Sequence, residues 1–172
     1  LGGLIDFRAN SLDPAQAQLG LIATTISASF NSQQALGLDL NGAAGVALFS
    51  STAPAVTAGS ANTGSAVITA TIEDASALTG DRYRLAYDGA NWSLQNLTTL
   101  ASEAVNPPAT VHGFKITVAS GTAAAGDSFL IDLVGSGAST FSASMTDPEK
   151  IAAALPVRSS ESLANRGDGA LT

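Results

Sequence analysis

Three features of the 172-residue sequence predict an α+β fold. Apolar residues recur at helical spacing over the first forty positions, the period shifts toward two after Gly42, and an Asp-Pro start with an Ile-Ala run appears from Thr146. We expect an N-terminal helical segment (short helix, break, long helix), then a mainly antiparallel β domain and a short C-terminal helix. The corresponding units are residues 1–42, 43–145 and 146–172.

In the helical segment Ile5, Leu12, Leu19 and Ile26 stand seven apart, Ala15 and Ile22 fill intermediate positions, and Ala23 and Phe30 widen the stripe. The stretch "SLDPAQ" predicts the break. Asp13 can cap, Pro14 suits a first helical turn, and proline disfavours helical geometry at the residue before it. The spacing therefore predicts one helix to about Asn10 and a second from Pro14 to about Leu36, with Gly37 as its stop. The second would be roughly 35 Å long at 1.5 Å per residue.

Alternation predicts strands over 66–72 ("AVITATI"), 82–87 ("RYRLAY"), 92–97 ("WSLQNL"), 113–118 ("GFKITV") and 128–134 ("SFLIDLV"). "YDGANW" reads as a hairpin, with Asp88-Gly89 supplying the positive φ of a tight turn. A weak internal repeat relates "TGDRYRLAY" (79–87) to "AGDSFLIDL" (125–133): each sets Gly-Asp in a turn, then starts a strand with an inward aromatic. Residues 50–65 are low in complexity and read as a surface loop. In "TDPEKIAAALP" Glu149 falls in the first turn of a short helix that Pro156 ends, and the tail beyond is polar and reads as loosely ordered.

Composition excludes several classes of function. There is no cysteine, which removes thiol catalysis, thiolate metal sites and disulfides together, and a lone His112 cannot supply a histidine cluster. The net charge of −7 with seven scattered basic residues leaves no basic face for nucleic acid. No run reaches the length of a membrane span and the basic start of a signal peptide is missing, so no membrane insertion is expected. The chain opens on Leu1 rather than Met, and we expect a fragment of a longer polypeptide.

No catalytic constellation emerges. His112 has no G-x-S-x-G partner and reads as a surface or strand-edge residue. Glu73-Asp74 are adjacent, point to opposite faces of a strand and precede a turn. "GSG" at 135–137 lacks the context of a dinucleotide fingerprint and reads as a turn; "NWS", "NLT" and "RGD" (166–168) are short enough to arise by chance. Nothing has calcium-loop spacing, and no cofactor or metal is expected.

The signal that stands is the apolar stripe. Leaving it in water would forgo about 1.5 to 3 kcal/mol per large side chain, so something covers it, either the β domain or helices outside these residues. The heptad spacing favours helices, and the expected packing residues are Ile5, Leu12, Leu19, Ile22, Ile26 and Phe30.

Residues 1–42, from "LGGLIDFR" through "LDP" to "FNSQQALGLDLNG", resemble the flagellar hook-associated protein 1 family, in which "GGLLDFR" leads through "LDP" to "FN-x-QH-x-x-G-x-DLNG". "GDSF" and "DP-x-KIAAA" (147–154) extend the resemblance. The family's "QH" is Gln33-Gln34 here, and "NRGDGAL" stands where the family writes "GDN" before a helix. The resemblance implies a structural, non-catalytic subunit of the bacterial flagellum joining hook to filament by self-assembly. It would be extracellular and exported without a cleaved signal peptide. Implied partners are other copies of itself, the hook protein, the second hook-associated protein and the flagellar export machinery. Residues 1–42 would belong to a rod-like core, 43–145 would form an outer β domain, and 146–172 would begin the return path. The alternatives are a hook or flagellin-like axial protein, which the "LDFR…LDP…DLNG" series argues against, and a carbohydrate-binding or adhesive β domain with Tyr87 and Trp92 as a stacking platform.

Overall fold

The computed structural model describes residues 2–154. Helix α1 (Gly2–Phe7) and helix α2 (Asp13–Ala35) are joined by a π-helical turn, Arg8–Leu12, into one rod roughly 50 Å long. The break expected at "SLDP" is thus a change of helical pitch. Leu12 (φ −74°, ψ −51°) and Asp13 (φ −62°, ψ −43°) both keep right-handed helical geometry, and the Asp13 N–H donates to the Arg8 carbonyl five residues back. Pro14 supplies the reason. Its ring would clash with the carbonyl four residues earlier in an α-helix, and the wider π turn gives that carbonyl room. Asp13 makes no side-chain cap; its carboxylate lies 3.5 Å from Arg8 Nε.

The α+β class stands as expected. Eight strands follow: β1 (Ala55–Ala58), β2 (Val67–Ile72), β3 (Arg82–Tyr87), β4 (Trp92–Asn96), β5 (Ser102–Val105), β6 (Ala109–Val111), β7 (Phe114–Ser120) and β8 (Ser128–Asp132). They form a five-stranded sheet in the order β1-β8-β3-β4-β5 and a three-stranded sheet in the order β2-β7-β6, with every pairing antiparallel. Alternation decides the core: Tyr83, Leu85, Leu94, Phe129 and Ile131 from the large sheet meet Ile68, Phe114 and Ile116 from the small one, all buried in one cluster.

The internal repeat acquires a physical meaning. β3 and β8 are neighbours, Tyr83 opposite Ile131 and Leu85 opposite Phe129, and each is preceded by a glycine at positive φ, Gly80 (81°) and Gly126 (92°). The Asp of each pair then secures a turn. Asp81 accepts from Asn96 Nδ2, while the buried Asp127 accepts from the backbone N–H groups of Ala124, Thr63 and Gly64. The Ala124 N–H, with the Thr63 and Gly64 N–H groups, outweighs the opposing effect of burial and holds the Asp127 carboxyl below its ordinary range.

Several elements differ from expectation. Residues 50–65 are not wholly loop, because β1 lies within them and pairs with β8, with the half-buried Val56 against the core. β5 and β6 are short strands without a sequence signal. Strand β6 turns into β7 through His112 (φ 47°) and Gly113 (φ 83°), a two-residue turn with both centres at positive φ. Behind β8, "GSG" opens a one-turn helix, α3 (Gly137–Thr140). The short C-terminal helix contracts to a 3-10 turn, Pro148–Lys150, capped by Asp147 accepting from the Glu149 N–H. The Ile-Ala run beyond it is extended, since Ala154 exchanges hydrogen bonds with Leu38. Pro156 and the polar tail lie outside the described residues.

Candidate functional site: an apolar seam on the N-terminal rod

Helix α2 carries two faces of opposite character. The face turned to the β domain is small and polar, with Gly20, Ala23, Thr24, Ser27 and Gln34 buried. Close approach explains the composition. A Cβ at Gly20 would stand 1.9 Å from the Val134 carbonyl oxygen, and one at Gly137 in α3 would stand 2.6 Å from the Gly20 carbonyl oxygen. Hydrogen bonds line the same face. Gln16 Nε2 donates to the Gly135 carbonyl (3.0 Å) and Thr24 Oγ1 to Thr52 Oγ1 (3.0 Å).

Lower on the helix, two side-chain amides hold the chain that leaves for the β domain and the chain that returns. Asn31 Oδ1 accepts from the N–H groups of Leu48 (2.8 Å) and Phe49 (3.0 Å), while its Nδ2 donates to the Phe49 carbonyl (2.9 Å). Gln34 Nε2 donates to the Lys150 carbonyl (2.7 Å). The two passages also pair with each other, Phe49 bridging to Ala143 and Leu38 to Ala154.

The second face is the stripe read from the sequence. Ile5 (63%), Leu12 (52%), Leu19 (59%), Ile22 (55%), Ile26 (38%) and Phe30 (52%) are all exposed to a large degree in the single chain. The β domain therefore leaves this stripe bare while packing on the neighbouring face. Phe30 differs from the rest: its ring meets Phe49 edge-on at 5.7 Å, and Phe49 stacks on Phe141 at 5.0 Å, so it closes the neck between rod and β domain. Leu4 (77%) and Phe7, which helical spacing alone did not single out, are also exposed on α1.

The other candidate chemistry disperses. His112 pairs with Glu103 (Nε2 to Oε1, 2.6 Å) and stacks on Tyr83 in an exposed turn, where the pair tethers β5 to the β6–β7 hairpin. Glu73 accepts from Thr110 Oγ1, whereas Asp74 caps the 3-10 turn Ala75–Ala77, so the two carboxylates serve different contacts. Asn96 of "NLT" spends its side chain on Asp81, Thr98 and Thr99. Tyr87 and Trp92 meet at 39°, and Trp92 leans on core Phe129, which gives no flat platform for a sugar ring. Among the described residues no group of three or more His, Cys, Asp or Glu is placed to hold a metal ion, and no helix is long and apolar enough to cross a membrane. "RGD" lies outside the described residues.

Comparison with known proteins decides what kind of rod and β domain these are. Residues 1–49 match a family model described as the flagellar hook-associated protein FlgK helical domain, and residues 57–133 match one described as the flagellar hook-associated protein 1, D2-like domain. The chain belongs to the flagellar hook-associated protein 1 family. Relatives bearing that name include the proteins of Escherichia coli, 34% identical over 158 residues, and Salmonella typhimurium, 31% identical over 159 residues. Each alignment covers 90% of this chain and 29% of the relative. Among solved structures, the flagellar hook junction protein FlgK from Burkholderia pseudomallei is similar at a TM-score of 0.81 and 39% identity, over 90% of this chain and 29% of that one. The chain thus spans under a third of the length of its hook-associated protein 1 relatives, and the helical-domain match falls on the rod that carries the bare stripe.

Proposed function

We propose that this chain is the part of a hook–filament junction subunit in which the core rod meets an outer β domain, and that its role is structural and non-catalytic. One observation carries the reading: an apolar helix face stays exposed although the neighbouring face is packed to backbone contact. Large side chains in water forgo about 1.5 to 3 kcal/mol each, so the stripe has the character of an assembly surface. Its cover is the remainder of the helical domain. Residues 1–49 match a helical domain to which the described residues contribute one rod, and a helix needs a packed neighbour to bury its stripe. Of the stripe residues Ile5, Leu12, Leu19, Ile22, Ile26 and Phe30, we assign the last five to this packing, and the α1 side chain that joins them depends on the rotation of the π turn.

On this reading residues 1–42 belong to the core, 43–145 form the outer domain, and 146–172 begin the return. The subunit works by joining: copies pack against one another, against hook protein on one side and the second hook-associated protein on the other, outside the cell. It reaches that place through the flagellar export machinery without a cleaved signal peptide, which N-terminal sequencing of the exported full-length protein tests.

The decisive experiment places Leu19→Glu with Ile26→Glu in the full-length protein and scores motility and hook–filament attachment by electron microscopy. Hooks without firmly attached filaments are expected; normal filaments would refute the seam. A glycan array tests the adhesive alternative, which predicts specific binding lost in Trp92→Ala.

A further inference from the structure

We propose that the π turn sets the register of the seam, so that Leu4 and Phe7, rather than Ile5, continue the line of Leu12, Leu19 and Ile26 toward the N-terminus. The inference rests on the seam reading above and sharpens which residues it contains. Its partner is an apolar helix of the same helical domain, supplied by the part of the full-length polypeptide outside these residues. Two facts point there: the helical-domain match receives one rod from the described residues, and the chain covers 29% of its relatives.

Rotation about the rod axis decides which side chains align. In an unbroken α-helix, seven residues fall about 20° short of two turns, so Ile5 would lie almost in line with Leu12. A π turn closes its hydrogen bond over five residues and consumes one residue more than an α turn. The seven-residue step from Leu12 back to Ile5 then rotates like six, which displaces Ile5 by about 120° at roughly 100° per residue. The eight-residue step to Leu4 rotates like seven and ends about 20° from the line; the five-residue step to Phe7 rotates like four and ends about 40° from it.

The charged residues of the turn record this rotation. Arg8 Nε lies 3.5 Å from Asp13 Oδ1, across five residues. In an α-helix two such positions diverge by about 140° around the axis, and over a π turn they come nearly one above the other. Without the π turn Arg8, four residues before Leu12, would fall on the seam. With it, the guanidinium is drawn aside to Asp13, and Leu4, the most exposed of these α1 side chains at 77%, takes the position beside Phe7.

Thiol labelling of the full-length protein tests the register. The 172-residue chain contains no cysteine, so Leu4→Cys, Ile5→Cys and Phe7→Cys can be made singly, with any cysteine elsewhere in the full-length protein replaced by serine, alongside Leu19→Cys and Ile26→Cys as seam controls. Maleimide should react at least roughly tenfold more slowly at Leu4→Cys and Phe7→Cys than at Ile5→Cys, with both controls slow. Slow controls with Ile5→Cys slower than Leu4→Cys would overturn the register alone. Fast controls would overturn the seam and the register with it. Deleting Asn10 removes the extra residue but leaves Leu4 seven α-helical residues from Leu12 and Ile5 six, so Leu4→Cys should stay slower than Ile5→Cys; a reversed order overturns the proposal as well.

Discussion

Replacing Gly20 with alanine isolates how closely the rod lies on the β domain. The new Cβ would stand 1.9 Å from the Val134 carbonyl oxygen and 2.9 Å from its carbonyl carbon, both backbone atoms of a buried residue just past the end of β8. Neither can turn aside as a side chain would. The rod must lift by more than an ångström, which strains the Gln16–Gly135 and Thr24–Thr52 hydrogen bonds on the same face. Overpacking of this kind costs about 1 to 3 kcal/mol, and more where backbone opposes backbone, against roughly 1 kcal/mol gained by alanine in a helix interior. We therefore expect a net loss of about 2 kcal/mol and a melting temperature lower by roughly 4 to 8 °C. Gly3→Ala is the control, since a Cβ there meets nothing within 4 Å and should leave stability unchanged or slightly raised. Thermal unfolding followed by circular dichroism reads both. A Gly20→Ala protein that melts at or above the parent temperature would refute the close approach.

Asn31→Ala removes three hydrogen bonds that fasten residues 48 and 49 to the helix, and should cost about 1 to 3 kcal/mol and open a protease site near Phe49, read by limited proteolysis with mass spectrometry. Asp127 contributes stability that is full above the ordinary carboxylate pKa of about 3.9 and is lost as pH falls through its lowered folded value. Urea melts should show Asp127→Asn less stable than the parent at neutral pH, with the gap narrowing below about pH 4; a constant gap would contradict the assignment. In the 172-residue chain alone, Ile22→Lys should change stability by no more than about 0.5 kcal/mol while reducing self-association in light scattering, because Ile22 has no cover there.

What the sequence disclosed, and what it hid, follows from the kind of residue that does the packing. Strands β2, β3, β4, β7 and β8 alternate large apolar and polar residues, so their inward faces could be read directly, and Asp88-Gly89 marked the hairpin. Strand β1 is built from alanine, valine and threonine and owes its place to backbone pairing with β8, which leaves no periodic signal. The Ile-Ala run near residue 151 has helical propensity, yet pairing with Leu38 draws it out. On α2 the hydrophobic stripe was legible, but it marks the face that the β domain does not cover. The covered face consists of Gly20, Ala23, Thr24 and Ser27, residues chosen for small size, and hydrophobic periodicity is blind to them. The π turn escaped for a similar reason: Pro14 announces that an α-helix cannot pass unchanged, without saying whether the chain will break or widen.

The excursion into the β domain leaves and re-enters at one point. Leu38 and Ala154 exchange N–H to carbonyl hydrogen bonds of 2.9 and 3.2 Å, so over a hundred residues are suspended from a single closed doorway at the foot of the rod. Whatever hangs from such a doorway can grow, shrink or be traded for a foreign module whose own termini lie side by side, while the rod beneath receives the same two chain ends. The β domain can thereby change in size without moving the two chain ends that the rod receives.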